Sequence, residues 1–101
     1  MALRYSFREI TFIWDRKKAK ENLKKHGVSF EEACEVFFDP FYHMEEASRR
    51  GEERFATIGY SESGRLLYVV SVEKSDDAWR IISARPATKM ERYRYEENET
   101  H

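Results

Sequence analysis

The sequence lacks the covalent and metal devices that often brace a small protein. Cys34 is its only cysteine, which excludes an intrachain disulfide and a cysteine-based zinc cluster and fits a reducing compartment. On the apolar face of a predicted helix, that thiol reads as a small buried hydrophobe. His26, His43 and His101 are far apart, and no His/Cys/Asp/Glu set has metal-ligand spacing, so neither a metal nor a cofactor is expected. Glycine is scarce: there is no glycine-rich phosphate loop and no Gly-x-Ser-x-Gly elbow. No apolar run approaches membrane-spanning length and no signal-peptide core opens the chain, so a cytoplasmic protein with no membrane partner is expected. A large net charge is missing too, at −1.

What is present is charge in blocks, together with aromatic residues. At 101 residues the chain has the length of one domain, and its seven Phe, six Tyr and two Trp suffice to fill a modest core. Residues 16–26 carry six cations against Glu21, and residues 31–53 carry eight acids against Arg49 and Arg50. Residues 80–95 return to five cations against Glu91, and the tail from residue 97 to 101 is acidic. Two readings stay open: a basic surface assembled from separated segments that binds nucleic acid, or a solvated, salt-bridged exterior.

Residues 1–9 mix polar and aromatic groups and read as a loose leader, with a partial strand as the alternative, ahead of a domain over residues 10–96. Ile10 to Trp14 is a short β-rich run. Asp15 then caps a helix that stops at Gly27, with Ala19, Leu23 and His26 as its apolar stripe. Ser29 with Glu32 forms a capping box for a second helix, which buries Phe30, Ala33, Cys34 and Phe37 and ends before Pro40. Residues 40–52 have no period and read as an acidic loop. Three strands follow, Arg54–Tyr60, Arg65–Val72 and Trp79–Arg85, joined by turns at Ser61–Gly64 and Lys74–Asp77. Thr88 with Glu91 caps a last helix bearing Met90, Tyr93 and Glu97 on one side. The class is α+β, an antiparallel meander with helices to one side, in the order β-α-α-β-β-β-α.

The chemistry-bearing residues are cations. RNA cleavage through the neighbouring 2′-hydroxyl needs a base, an acid and positive charge on the phosphorane-like transition state, and guanidinium forks match two phosphate oxygens. Arg54, Arg65, Arg80 and Arg85 lie at or near strand ends, where one sheet edge can gather them. Lys25 and His26 close the first helix, where the macrodipole favours cationic groups; this suits His26 to the role of acid more than of base. The plainer alternative is a packed His26 bonded to a local carbonyl. Lys24, Lys74, Lys89 and Arg92 are expected to add RNA contacts. Arg85 and Arg80 are an odd number of residues apart, which predicts opposite faces for them. Trp14, Tyr68, Trp79 and Tyr93 offer stacking platforms under a pure RNA-binding reading, although aromatics at these spacings more often fill a core.

The blocks Asn22-x-x-Lys25-His26-Gly27-Val28-Ser29-Phe30-Glu31-Glu32-Ala33, Val36-Phe37-x-Asp39-Pro40, Gly64-Arg65-Leu66-Leu67 and Arg80-Ile81-Ile82-Ser83-Ala84-Arg85 resemble the BrnT family, ribonuclease toxins of bacterial type II toxin–antitoxin modules. The resemblance covers about residues 10–96. It implies a RelE-like fold, with an antiparallel sheet of about four strands, two N-terminal helices and a C-terminal helix. It also implies RNA cleavage that halts translation. The implied partner is a BrnA-type antitoxin, in a heterotetramer of two toxins on an antitoxin dimer, with operator DNA reached only through the antitoxin. The family's basic functional positions fall on Lys25, His26, Arg54, Arg65 and Arg85. Ser71-Val72-Glu73-Lys74 departs from the Tyr-Thr-Glu-Arg run of many members and thereby lacks a stacking ring at Ser71. Two rivals remain: a degenerate toxin acting as antitoxin-binding co-repressor, and a small RNA-binding module.

Overall fold

In a computed structural model, the protein is described over residues 2–99, with side chains through residue 97. Six strands form one sheet: β1 (Ala2–Phe7), β2 (Ile10–Asp15), β3 (His43–Glu46), β4 (Phe55–Tyr60), β5 (Leu66–Ser75) and β6 (Ala78–Pro86). Their order across the sheet is β1-β2-β6-β5-β4-β3. Helices α1 (Arg16–His26) and α2 (Phe30–Glu35) follow β2; a single 3₁₀ turn at Val36–Phe38 extends α2, and α3 (Lys89–Glu99) closes the described chain.

The helix boundaries follow their caps. Asp15 accepts from the backbone N–H groups of Lys17 and Lys18, and Gly27 ends α1 in the left-handed conformation at φ 70°. Ser29 accepts from Glu32 N–H at the start of α2. Thr88 and Glu91 complete a reciprocal capping box on α3: Thr88 N–H donates to Glu91 Oε1, and Glu91 N–H donates to Thr88 Oγ1. In the second box the reciprocal half is missing, because the Glu32 carboxylate is engaged elsewhere.

Alternation sets the two faces of the sheet. Leu67, Val69, Ile81 and Ala84 join Phe12, Trp14, Val28, Phe30 and Val36 in the main core, on the face covered by α1 and α2. Trp14 meets Phe30 edge-on at 5.8 Å, and Phe37 packs between Phe12 and Trp79. On the other face, Ile58, Leu66 and Tyr95 form a second cluster beneath α3, with Tyr68 and Ala87 against it. Gly59 lets the 3₁₀ turn close on β4: a Cβ there would stand 2.9 Å from the Val36 carbonyl oxygen.

Several expectations need correction. Residues 2–7 are an edge strand rather than a loose leader, pairing antiparallel with β2 from Ala2↔Asp15 to Phe7↔Ile10. Residues 43–46 of the expected acidic loop are a further strand on β4, which raises the sheet from four strands to six. The sheet is also not wholly antiparallel, since β2 runs parallel to β6 over Thr11–Ile13 and Ala78–Arg80. Finally, Leu23 is 51 % exposed, and the buried side chain of α1 is Asn22. On α3, likewise, Met90 and Tyr93 face solvent, while Glu91 and Tyr95 are buried. The acidic tail expected from residue 97 begins inside α3, and residues 100–101 lie outside the described residues.

Candidate active site

The parallel pairing of β2 and β6 explains why Asn22 is buried. Past Ile13 and Arg80 no further β2–β6 pairs form, and α1 takes the place of a strand beside β6. Asn22 Nδ2 donates to the Ala84 carbonyl at 2.8 Å, and Asn22 Oδ1 accepts from Ala84 N–H at 3.1 Å. One side-chain amide thus meets both backbone groups that a neighbouring strand would have paired. A further bond, to the Val28 carbonyl at 3.0 Å, ties in the loop after α1. Arg85 follows Ala84 directly. Lys25 and His26 are three and four residues beyond Asn22, one turn along the same helix side. Asn22 thereby ties the Ala84 end of β6 to α1, one turn before Lys25 and His26.

Arg85 emerges on the face opposite α1 and α2. Its guanidinium lies 4.3 Å from the centre of the Tyr68 ring, its cross-strand partner. Two bonds of 2.8 Å, from Nη1 and Nη2, bind the Glu91 carboxylate. Burial pushes the Glu91 carboxyl up, but the Arg85 fork and the Thr88 N–H outweigh it, and the group lies below the usual carboxylate range. The same bonds raise Arg85. Burial, with the charges of Glu45 and Glu91 nearby, raises the Tyr68 hydroxyl.

Arg65 is occupied differently. It donates to both oxygens of Glu32 and, through Nη2, to the Gly27 carbonyl at 2.9 Å. Ser61 and Ser63 also donate to Glu32. Held first by Arg65, the Glu32 carboxyl drops to about 2. This knot staples the β4–β5 turn to the cap of α1. Arg65 thus reaches the Gly27 carbonyl, next in the chain after Lys25 and His26, with its fork committed to the Glu32 carboxylate.

Arg54 lies elsewhere. Phe55 pairs with Ser71, so the register continued by one residue sets Arg54 beside Val72, whose partner on β6 is Arg80. Tyr68 and Val72 are four residues apart on β5, which separates the Arg85 and Arg54 positions by ~13 Å along the sheet. Arg54 Nε donates to Glu52 at 2.8 Å and Arg80 Nη2 to the other oxygen of Glu52 at 2.9 Å. Despite its odd spacing, Arg80 shares the face of Arg85. Val70 pairs with Ser83 and Ser71 with Ile81, so Ile82 is the extra residue of a β-bulge that restores Arg80 to the face of Arg85.

Between the two arginine poles lies a groove of about 480 Å³, floored by Val70, Ile82 and Ser83 and bordered by Tyr68, Ser48, Arg49 and Arg54. Of the supporting cations, Lys74 stands close enough to influence Glu52. Lys24 and Lys89 are exposed on α1 and α3, and Arg92 donates to the Tyr60 hydroxyl at 3.1 Å. Trp14 is 2 % exposed and Trp79 is packed on Phe37 and Phe55, so neither is a stacking platform. Ser71 is fully buried, and its departure from the family pattern removes no ring from this groove.

Sequence reasoning missed Asn22, Glu52 and Glu91 as site-forming residues, and His43 on the same face. His43 Nε2 lies 3.1 Å from Glu45, which also accepts from Arg94 at 2.9 Å. Asn22 stood in the quoted family block, but its role depends on the strand gap, which no local pattern shows. Among the described residues no group of three or more His, Cys, Asp or Glu is arranged to hold a metal, and no helix is long and apolar enough to cross a membrane.

The chain matches the family model described as ribonuclease toxin, BrnT, of type II toxin–antitoxin system over residues 14–91. It is also similar to the 1.1 Å crystal structure of the Brucella abortus ribonuclease toxin BrnT. That likeness has 25 % identity and a TM-score of 0.57, and it covers 75 % of this chain and 94 % of that one. No curated protein sequence matches.

Proposed function

The chain belongs to the BrnT family of ribonuclease toxins of type II toxin–antitoxin systems, and we propose from that premise that it is an active endoribonuclease working from the face that carries Arg85 and Tyr68. The observation that carries this reading is the Arg85 fork, presented at the end of β6 and oriented by the Tyr68 ring and the Glu91 carboxylate.

The reaction is an internal transesterification. The 2′-oxygen loses its proton and attacks the adjacent phosphorus, the bond to the 5′-oxygen breaks, and that oxygen takes up a proton. A 2′,3′-cyclic phosphate and a free 5′-hydroxyl result. Arg85 binds the non-bridging oxygens as their charge grows, for which its planar fork suits it. Lys25 adds charge at the same end, and His26 is the proton donor to the leaving oxygen. No metal is required by this chemistry. Arg65 serves as the staple that fixes the α1 terminus, and Arg54 binds the RNA backbone farther along the groove, with Lys24, Lys74, Lys89 and Arg92 as outlying phosphate contacts.

A toxin of this class has an antitoxin partner. We take that partner to be of the BrnA type, two toxins to an antitoxin dimer, acting in the cytoplasm and reaching operator DNA only through the antitoxin. The exposed side of α3 with Met90 and Tyr93 supports a protein contact there. The rival co-repressor reading draws on one observation: Arg54, Arg65, Arg80 and Arg85 are all paired with carboxylates. Expression without antitoxin separates the two. Growth arrest with cellular RNA cut to cyclic-phosphate ends supports the nuclease; healthy cells with intact RNA, while the protein still binds antitoxin, support the co-repressor.

A further inference from the structure

We propose that the Arg54–Arg80 pair is a second phosphate subsite, and that Glu52 occupies it as an internal stand-in for phosphate that RNA must displace. The proposal rests on the nuclease reading above and names a subsite and a gate within that surface.

Glu52 presents one oxygen to each guanidinium, 2.8 Å from Arg54 Nε and 2.9 Å from Arg80 Nη2. A phosphodiester has two non-bridging oxygens to offer the same two donors, and arginine forks suit either anion. The carboxylate is delivered by a tight hairpin tip: Arg49 and Glu52 exchange backbone hydrogen bonds, and Arg50 and Gly51 between them both have positive φ, 51° and 79°. Below the tip, Ala47 N–H donates to the Arg54 carbonyl at 2.8 Å and closes the same hairpin.

The site has spare donors. Arg80 Nε is buried without an acceptor, and Arg49 and Arg50 are exposed on the same tip. Glu52 and Arg80 are each more than a third exposed, so water screens their attraction and a polyanion can compete for the pair. Arg85 is held by a far less exposed carboxylate, Glu91, at 10 %. The two poles therefore differ: Arg85 is locked in position, whereas the Arg54–Arg80 pair is latched. With ~13 Å between them along the sheet, a ligand that engages both is an oligonucleotide rather than a single nucleotide. The resting protein, with Glu52 in the subsite, discriminates against small anions that cannot also reach Arg85.

The test uses an uncleavable 2′-deoxy oligonucleotide titrated into the full chain at several salt concentrations. Glu52→Gln keeps the side-chain shape and removes the competing charge; it is expected to tighten binding about three- to tenfold at low salt and to steepen the salt dependence. Arg80→Ala is expected to lower the salt slope by about one. If Glu52 is only a structural brace, Glu52→Gln binds no more tightly than wild type and the proposal is overturned. Arg85→Ala separates the two claims. Weaker binding in that variant, with Glu52→Gln and Arg80→Ala unchanged, overturns the latch alone. Binding that none of the three substitutions alters overturns the nuclease surface and the latch together.

Discussion

The Arg85 guanidinium lies 4.3 Å from the centre of the Tyr68 ring, and the position is held from above by α3 rather than by the sheet itself. Glu91 does the holding while also capping its own helix through Thr88. Strand, ring and helix terminus thus orient one fork, and orientation is what a transition-state contact needs. Glu91→Gln keeps the shape and weakens the fork. It is expected to lower kcat about tenfold, a cost of about 1.4 kcal/mol, with the far-UV circular dichroism unchanged. Arg85→Lys keeps charge but not the planar pair of donors, and a larger loss of turnover is expected.

Asn22 carries the geometry that brings α1 to β6. Asn22→Ala strands the Ala84 N–H and C=O in a buried position, at a cost of about 1–3 kcal/mol for an unsatisfied group. Urea unfolding is expected to show a lower midpoint, with a loss on the order of 3 kcal/mol for the combined effect. An unchanged midpoint would mean that α1 docks without this amide.

The Glu32–Arg65 knot predicts a pH dependence. The Glu32 carboxyl is lowered from 4.5 to about 2 on folding. A lowered carboxylate stabilises the fold above its unfolded value and loses that contribution as the pH falls through the folded value. The loss therefore runs from about pH 5 down to about pH 2. Its size is on the order of 2 kcal/mol, discounted because Arg65 is 41 % exposed. Unfolding free energies of wild type and Glu32→Gln measured at pH 7 and pH 3 test it: the difference between the two proteins is expected to shrink at the lower pH.

Gly59 is a packing requirement. Gly59→Ala places a methyl group 2.9 Å from the Val36 carbonyl oxygen, a backbone atom that moves only with the 3₁₀ turn. A destabilisation of about 1–3 kcal/mol is expected, read as a fall in Tm without loss of RNA affinity once the protein is folded.

Caps made much of the fold legible from sequence. Asp15, Gly27, Ser29 and Thr88 each stand where the structure uses them, because capping is decided within a few residues. The three later strands were legible because their apolar runs are long. β1 was legible only as a partial strand although Leu3, Tyr5 and Phe7 alternate and pack on the core, since its hairpin turns through Arg8 and Glu9, at φ 51° and 71°, without a glycine or asparagine to mark it. Asn22 and the Arg80 parity were hidden for another reason: one depends on a gap between β2 and β6, the other on a bulge at Ile82, and both arise from pairing between distant segments. At the site, the arginines were visible as residue types, but the carboxylate that each one meets was not. Glu91, six residues from Arg85, was visible only as the capping partner of Thr88.

The central claim is that Arg85 supports metal-independent RNA cleavage. Purified wild-type protein incubated with RNA in EDTA, beside the Arg85→Ala variant at equal folded concentration, tests it most directly. The account predicts cleavage to 2′,3′-cyclic phosphate ends by the wild type and a rate lower by about 10²–10³ for the variant. Equal cleavage by both proteins, or RNA left intact by the wild type, would contradict it.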